Sequence, residues 1–193
     1  MNNDLATANP LQFKPGDILI KSSDIEKRLQ SLASQIAVDY GKKSFMLVGI
    51  LKGASTVLAD LQRALYNAGC HDFTINFIKV SSYGLKTENT KGPQLIQKLD
   101  FDPKNENILI VDDIIDTGLS IQYIEKLLKA RKAASIRSFT LLSKPSKRLV
   151  KFEPDYIGFI VPDVWIEGYG MDTKEYGRGN PDIIVGSSLN KIE

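Results

Sequence analysis

Short, continuous aliphatic runs alternate with helix-like patterns in this chain, and this alternation limits the possible folds more than any other feature. Residues 45–50 and 108–111 are apolar or glycine at every position, as in strands that are buried on both faces of a sheet. Apolar residues at helical spacing precede the first run, lie between the two runs and follow the second. Strands that alternate with helices predict an α/β fold, with a mostly parallel sheet that is flanked by helices.

Local signals predict where the helices and the remaining strands lie. The first helix begins at a predicted capping box, in which the Ser23 hydroxyl caps the helix and Glu26 reaches back to it. The second helix follows residues 51–53 and ends at Gly69, because glycine readily terminates a helix. Further strands are predicted at residues 73–80, 138–142, 155–161 and 182–185. Residues 1–193 are expected to form a single domain with one buried core.

The composition excludes several classes of function. The 25 Lys and Arg residues nearly balance the 23 Asp and Glu residues, and a net charge of +2 is too small for a strongly basic nucleic-acid-binding protein. No apolar run approaches the roughly 20 residues of a membrane span, and residues 1–13 do not resemble a secretory signal. Cys70 and His71 are the only cysteine and histidine, which excludes a disulfide framework and a multi-cysteine zinc site. We therefore expect a reducing, cytoplasmic setting and acid–base chemistry that depends on carboxylates and lysines.

Three carboxylates follow the second aliphatic run. Asp112 and Asp113 come directly after the predicted strand, and Asp116 lies three residues further on. In an α/β sheet, ligands bind at the carboxyl ends of the strands. Gly118 is expected to let the backbone come close to such a ligand. The residues that open the third helix supply free N–H groups, two hydroxyls and the helix dipole, which together make a phosphate cradle: Thr117, Gly118, Leu119 and Ser120.

A single aspartate at this place would be an ordinary helix N-cap. Three carboxylates within five residues, however, repel one another at the end of an apolar strand unless a cation or a hydroxyl-rich ligand compensates them. Carboxylates beside a phosphate cradle indicate a ligand that carries both vicinal hydroxyls and a phosphate. Ribose 5-phosphate meets that description.

Residues 108–120 resemble the phosphoribosyl pyrophosphate signature of type I phosphoribosyltransferases, in which two acids, two aliphatic residues, Asp, Thr or Ser, and Gly follow an aliphatic strand. Asp112 stands where Glu is frequent in that family, and Leu119 and Ser120 replace a polar residue and Thr. The resemblance extends over about residues 15–185 and narrows to the hypoxanthine/guanine branch. It implies a single phosphoribosyltransferase domain, 1–193, with a small hood and a flexible loop, and a homodimer or homotetramer.

The resemblance also assigns residues outside the acidic turn to pyrophosphate. Lys52 and Gly53 match the first loop of the family, in which the Leu51–Lys52 peptide is typically cis, and Arg178 matches a second pyrophosphate-binding position. The unremarkable alternative for Lys52 is a surface lysine in a strand-to-helix turn.

A long polar segment, residues 81–106, contains the sequence that matches the flexible loop of the family. The matching pair is Ser82 and Tyr83. Because irregular connections of this length are usually functional or disordered, we interpret the segment as a mobile lid that closes over the active site.

Four positions that resemble the purine-binding part of the family follow further along the chain. Lys144 would donate to the 6-oxo group of a purine, which argues against adenine as the base. Trp165 would stack on the base, and the backbone of Ile166 would contact the edge of the base. Asp172 would lie near the exocyclic group of the base and near the metal-bound pyrophosphate.

The activity that the resemblance implies is Mg²⁺-dependent purine salvage: transfer of 5-phosphoribosyl from phosphoribosyl pyrophosphate to hypoxanthine or guanine. Asp112 and Asp113 would bind the ribose hydroxyls directly or through Mg²⁺, and Asp172 is the third implied metal ligand. Asp116 would act as general base or acid at the purine N7.

Two alternatives remain open at this point. The first is a sibling enzyme that uses xanthine or adenine as the base. The second is a regulator of this fold that binds a nucleotide as a signal and RNA or DNA as a target, which would require a basic face. The residues that could form such a face are Lys126, Lys129, Arg131, Lys132, Arg137, Lys144, Lys147, Arg148 and Lys151.

Overall fold

A computed structural model of the protein describes residue 5 and residues 8–81 and 92–187. Within these residues there are three α-helices: α1 (Ser22–Tyr40), α2 (Ala54–Asn67) and α3 (Leu119–Ala130). The strands are β1 (Ile18–Ile20), β2 (Phe45–Leu51), β3 (Phe73–Lys79), β4 (Asn107–Ile115), β5 (Ser135–Ser143), β6 (Tyr156–Ile160), β7 (Ile166–Glu167) and β8 (Ile183–Val185). Two short 3₁₀ helices cover Pro10–Gln12 and Pro145–Lys147.

The main sheet has five parallel strands in the order β3-β2-β4-β5-β6. This confirms the predicted α/β architecture. The chain passes from β2 to β3 on one side and then crosses to β4 on the other side of β2. Such a reversal opens a crevice at the carboxyl ends of the two strands. Ligands bind in this crevice in sheets of this kind. The crevice here lies between the ends of β2 and β4.

Side chains of β4 alternate between two hydrophobic cores, one on each face of the sheet. Leu109 and Val111 pack into the core that contains α1 and α2. Ile108 and Ile110 pack into the core that contains α3. Because this alternation has a period of two residues, it directs Asp113 toward the α2 face and Asp112 toward the α3 face.

A small antiparallel sheet, in the order β1-β8-β7, forms the predicted hood. Ile166 pairs with Val185 in this sheet. The loop that follows β7 is attached to α2, because the buried Tyr169 hydroxyl donates to the Asp60 carboxylate.

Two local predictions are wrong. β4 continues to Ile115 instead of ending at the last aliphatic residue, since its pairing with β5 extends past the acids. The capping box does not form: Lys21 is the N-cap of α1, and the Ser22 amide donates to the carboxylate of Asp182 at 2.7 Å. Asp182, which is 160 positions from Ser22, therefore supplies the acceptor in place of the predicted local cap.

The predicted flexible-loop pair, Ser82 and Tyr83, lies outside the described residues. The described ends of that segment run antiparallel beside β3, because the Ser81 amide donates to the Gln94 carbonyl at 2.8 Å and the Ile96 amide donates to the Lys79 carbonyl at 2.9 Å. Leu99 is then buried in the core on the α3 face. The segment 81–106 therefore leaves and re-enters the fold at neighbouring points.

None of the helices in the described part of the chain combines the length and the apolar character that a membrane crossing needs.

Candidate functional site

The loops after β2 and β4 meet at the crevice. Gly53 lies directly against Asp113, and a Cβ atom at Gly53 would collide with the Asp113 carboxylate. Gly53 has φ −56° and ψ −42°, which any residue adopts, so lack of space and not backbone freedom requires glycine here. The peptide between Leu51 and Lys52 is cis, as the resemblance implied. The structure thus joins two segments that the sequence identified separately.

Asp112 and Asp113 form a carboxylate pair in which Asp113 is partly buried. Asp112 is buried, and its Oδ1 accepts a hydrogen bond from the Asp113 amide at 3.1 Å. Burial and then the charge of Asp113 raise the pKa of Asp112 well above its ordinary value. Burial also raises the pKa of Asp113, against hydrogen bonds and the nearby Arg178 guanidinium, which lower it. Both raised pKa values mean that the ionised carboxylates are disfavoured here. A bound cation would favour the ionised carboxylates.

The donor set of this pair suits a hard divalent cation. Mg²⁺ takes oxygen ligands and commonly uses one or two carboxylates together with substrate phosphates and water. Within the described residues, there is no group of three His, Cys, Asp or Glu side chains that could hold a metal ion. A cation at this pair would therefore need further ligands from substrate phosphates and water. Asp172, the third predicted ligand, pairs through Oδ1 with Arg178 at 2.7 Å, and its role at a metal stays a prediction.

The turn between β4 and α3 presents the predicted phosphate cradle. Gly118 is the N-cap of α3 and has no side chain with which to cap it. The N–H groups of the first helical turn therefore remain available to an anion, apart from that of Leu119, which lies 3.4 Å from Thr117 Oγ1. Gly118 has φ +79°, a conformation that favours glycine. The hydroxyl of Ser120 lies on the same first turn.

Gly118 is also tightly packed against the protein itself, while the predicted approach of a ligand to its backbone stays a prediction. An added Cβ would meet Val150 Cγ2 at 2.9 Å and Arg148 Cδ at 3.0 Å. The backbone at Gly118 therefore lies close to the segment that follows β5. Arg148 holds the turn between β4 and α3 in place, because its Nη1 donates to the carbonyls of Ile115 at 3.0 Å and Asp116 at 2.6 Å. Nothing in the sequence indicated this role for Arg148 beyond its place as a basic residue in a basic segment.

Lys144 connects the acidic turn to the loop after β6. Its side chain is only 7% exposed, and its Nζ donates to the Val164 carbonyl at 2.7 Å. The same Nζ lies 3.7 Å from Asp116 Oδ1, and the Lys144 amide donates to the Ile115 carbonyl at 3.0 Å. Asp116 is half exposed at the opening of the site.

Trp165 and Ile166 follow Val164 directly and lie at the edge of the hood. Trp165 is 43% exposed, and its Nε1 donates to Thr173 Oγ1 at 2.6 Å. Ile166 is buried in β7, and the contact between its backbone and the base stays a prediction. Trp165, with its partly exposed side chain, therefore directly follows the residue whose carbonyl accepts from the Lys144 ammonium.

Arg178 and Lys52 are brought together by a residue that the sequence did not indicate. Arg178 Nη2 lies 2.7 Å from Asp172 Oδ1 and 3.0 Å from Glu175 Oε2. Lys52 Nζ lies 3.0 Å from the same Glu175 oxygen. The two predicted pyrophosphate-binding cations thus converge on one point at the opening of the crevice.

Five of the nine residues that could form the basic face of a nucleic-acid-binding regulator point into the site or pair with a carboxylate. Lys144 and Arg148 point into the site. Lys147 pairs with Asp163, Lys129 with Glu125 and Arg137 with Asp39, which neutralises their charges locally.

Gly53→Ala is expected to lower the free energy of unfolding by about 1–3 kcal/mol, the usual cost of overpacking a tight site. The physical reason is the collision of the added methyl with the Asp113 carboxylate. Denaturant unfolding followed by circular dichroism measures the loss. Gly179→Ala is the control, since a Cβ there meets nothing within 4 Å. Equal stability of the two variants would contradict the packing argument.

Comparison with known proteins gives a consistent result. Residues 17–174 match the family model of the phosphoribosyl transferase domain. The chain is 37% identical over 169 residues to a hypoxanthine-guanine phosphoribosyltransferase of Aquifex aeolicus (strain VF5), which covers 87% of this chain and 93% of that protein. It is 37% identical over 168 residues to a protein of the same name from Bacillus subtilis (strain 168), with coverage of 87% and 91%.

A solved structure agrees over nearly the same length. The crystal structure of a hypoxanthine phosphoribosyltransferase from Staphylococcus aureus superposes with a TM-score of 0.83 at 34% sequence identity. The superposition covers 94% of this chain and 96% of that chain. The similarity therefore includes the sheet, the helices and the hood that surround the crevice.

Proposed function

The chain belongs to the phosphoribosyl transferase domain family and is a pentosyl-transferring enzyme, and we propose that it moves the 5-phosphoribosyl group of phosphoribosyl pyrophosphate to hypoxanthine or guanine. The products of this purine-salvage reaction are the nucleoside 5′-monophosphate and pyrophosphate. The relatives that carry the name hypoxanthine-guanine phosphoribosyltransferase support this choice of base.

One observation carries the proposal. The buried Lys144 ammonium lies between the Asp116 carboxylate and the Val164 carbonyl, and Trp165, whose side chain is partly exposed, follows Val164 in the chain. A purine stacked on Trp165 would meet a group that can only donate hydrogen bonds, and it would have a carboxylate close to its imidazole edge. This combination suits a 6-oxopurine that loses or gains a proton at N7.

The phosphoribosyl group would occupy the turn before α3. The 5-phosphate would accept hydrogen bonds from the first-turn N–H groups and from the hydroxyls of Thr117 and Ser120. Asp112 and Asp113 would bind the ribose hydroxyls, directly or through a cation. Arg148 would keep the turn in place, since it donates to the carbonyls of Ile115 and Asp116.

The leaving group would lie across the crevice. Lys52 and Arg178 would neutralise the charge that the pyrophosphate gains as the bond to the ribose breaks, and the Gly53 backbone would contact it. A Mg²⁺ ion held by Asp112, Asp113 and pyrophosphate oxygens, with Asp172 nearby, would supply further positive charge to the leaving group.

Proton transfer and base recognition would use separate residues. Asp116 would take or return the proton at N7, as a positioned general base or acid. Lys144 would donate to the 6-oxo group, Trp165 would stack on the ring, and the Ile166 backbone would bind the opposite edge. This separation lets the enzyme select the base without changing the acid–base group.

The resemblance to the family also supports assembly into a homodimer or homotetramer in a cytoplasmic setting. The single, buried cysteine, Cys70, is consistent with a protein that needs no disulfide.

The direct test is release of pyrophosphate from phosphoribosyl pyrophosphate and Mg²⁺ in the presence of hypoxanthine, guanine, xanthine or adenine. We expect rapid release with hypoxanthine or guanine and a nucleotide product in equal amount. A reaction without a base controls for hydrolysis. Release that needs no purine, or that occurs with none of the four, would overturn the proposal.

A further inference from the structure

Glu175 lies where an anion would be expected to bind. Its Oε2 is 3.0 Å from Lys52 Nζ and 3.0 Å from Arg178 Nη2, so a single carboxylate oxygen bridges the two cations. An oxygen of a bound phosphoryl group could bridge Lys52 and Arg178 in the same way. The two cations that the proposed function assigns to pyrophosphate are therefore already paired with an anion of the protein itself.

The backbone of a tight turn sets the position of Glu175. The Glu175 amide donates to Asp172 Oδ2 at 2.7 Å, while Oδ1 of the same Asp172 pairs with Arg178 at 2.7 Å. Lys174 and Glu175 both have positive φ, at 52° and 72°, and Thr173 pairs with Tyr176 across the turn. This turn directs the Glu175 side chain back toward Lys52.

The contact is charged, but it is also accessible and reversible. Hydrogen bonds from Lys52 and Arg178 lower the pKa of the Glu175 carboxyl, which is therefore ionised at neutral pH. The Glu175 side chain is 63% exposed, and that of Lys52 is 52% exposed. Ion pairs with this exposure are weak, so a multiply charged anion with Mg²⁺ can replace the carboxylate without unfolding the turn.

We propose that Glu175 is an internal anion that occupies the pyrophosphate subsite between turnovers and competes with pyrophosphate for Lys52 and Arg178. This inference rests on the proposed function, because it takes the assignment of those two cations from it. Glu175 is a positioning residue: it keeps the cations aligned when the subsite holds no ligand. It also weakens the hold on the product and so favours its release.

Titration of the protein with pyrophosphate and Mg²⁺, followed by calorimetry, tests the competition. Removal of the carboxylate charge in Glu175→Gln is expected to tighten pyrophosphate binding about three- to tenfold, the effect of releasing two exposed ion pairs. The matched control is Glu125→Gln, which removes the same charge from an exposed pair with Lys129 on α3. The control is expected to bind pyrophosphate as the wild type does.

A kinetic measurement separates competition from a structural role. Glu175→Gln is expected to lower the inhibition constant of product pyrophosphate by the same factor while the KM for hypoxanthine stays unchanged. Glu175→Asp keeps the charge and is expected to move both quantities back toward the wild-type values. Unchanged or weaker pyrophosphate binding by Glu175→Gln would overturn the inference.

Failure of the proposed function has a different signature. Lys52→Gln and Arg178→Gln each remove one cation and are expected to weaken pyrophosphate binding. If neither variant changes it, the assignment of the subsite is wrong, whatever Glu175 does. If both weaken it and Glu175→Gln does not strengthen it, only the competition is wrong.

Discussion

Asp116→Asn is expected to lower kcat by about 10²–10⁴-fold, the usual contribution of a positioned acid–base group, and to leave the KM values for both substrates nearly unchanged. The Asp116 carboxylate is half exposed at the opening of the phosphate turn, and its Oδ1 lies 3.7 Å from Lys144 Nζ. Its backbone is fixed by Arg148, which donates to the Asp116 carbonyl at 2.6 Å. Asparagine fills the same space but cannot take up the N7 proton. Steady-state kinetics with hypoxanthine measure the loss.

The control for Asp116→Asn is Asp102→Asn, an exposed aspartate before the amino end of β4 whose carboxylate accepts from the Lys104 amide. Asparagine can accept the same hydrogen bond, so the control keeps the wild-type kcat. A variant at position 116 with normal kcat and a raised KM would identify Asp116 as a binding residue and remove its catalytic role.

The elements that the sequence predicted correctly are those with a local signal. The aliphatic runs in β2 and β4 predicted a parallel sheet because strands with helices on both faces are apolar at every position. Asp112, Asp113 and Asp116 were singled out by a local signal too, because like charges at the end of an apolar strand are costly without a ligand, but their roles stay predictions. These signals are contained in short segments. The contact between Gly53 and Asp113 joins two such segments, and neither segment predicted it.

The features that the sequence did not predict depend on partners far along the chain. The capping box at Ser23 was wrong because Asp182, 160 positions from Ser22, supplies the acceptor. The support from Arg148 requires that the segment after β5 lie under the turn after β4, which no local pattern indicates. Glu175 was missed for the same reason, since Lys52 lies 123 positions before it.

The largest expected effect concerns the choice of base and depends on Lys144. An ammonium can only donate hydrogen bonds, so it favours a carbonyl at position 6 of the purine and opposes the amino group of adenine. The Lys144 side chain is only 7% exposed, so water cannot readily relieve two donors that face each other. Sites built around such a group discriminate by about 10⁴–10⁵ in favourable cases. We expect a kcat/KM ratio of that order for hypoxanthine or guanine over adenine.

Lys144→Gln is expected to narrow this gap mainly by weakening the use of the oxopurines, because a glutamine amide can both donate and accept. The matched control is Lys147→Gln, which changes a half-exposed lysine three residues further on that pairs with Asp163 at 2.8 Å. Lys147 neutralises a surface carboxylate. Among the described hydrogen bonds and ion pairs, its side chain makes none with Asp116 or Val164. Replacement of Lys147 is therefore expected to keep the base preference. Ratios of kcat/KM for hypoxanthine, guanine and adenine in the three proteins decide the matter. Comparable wild-type activity with adenine, or an unchanged preference in Lys144→Gln, would show that another group selects the base.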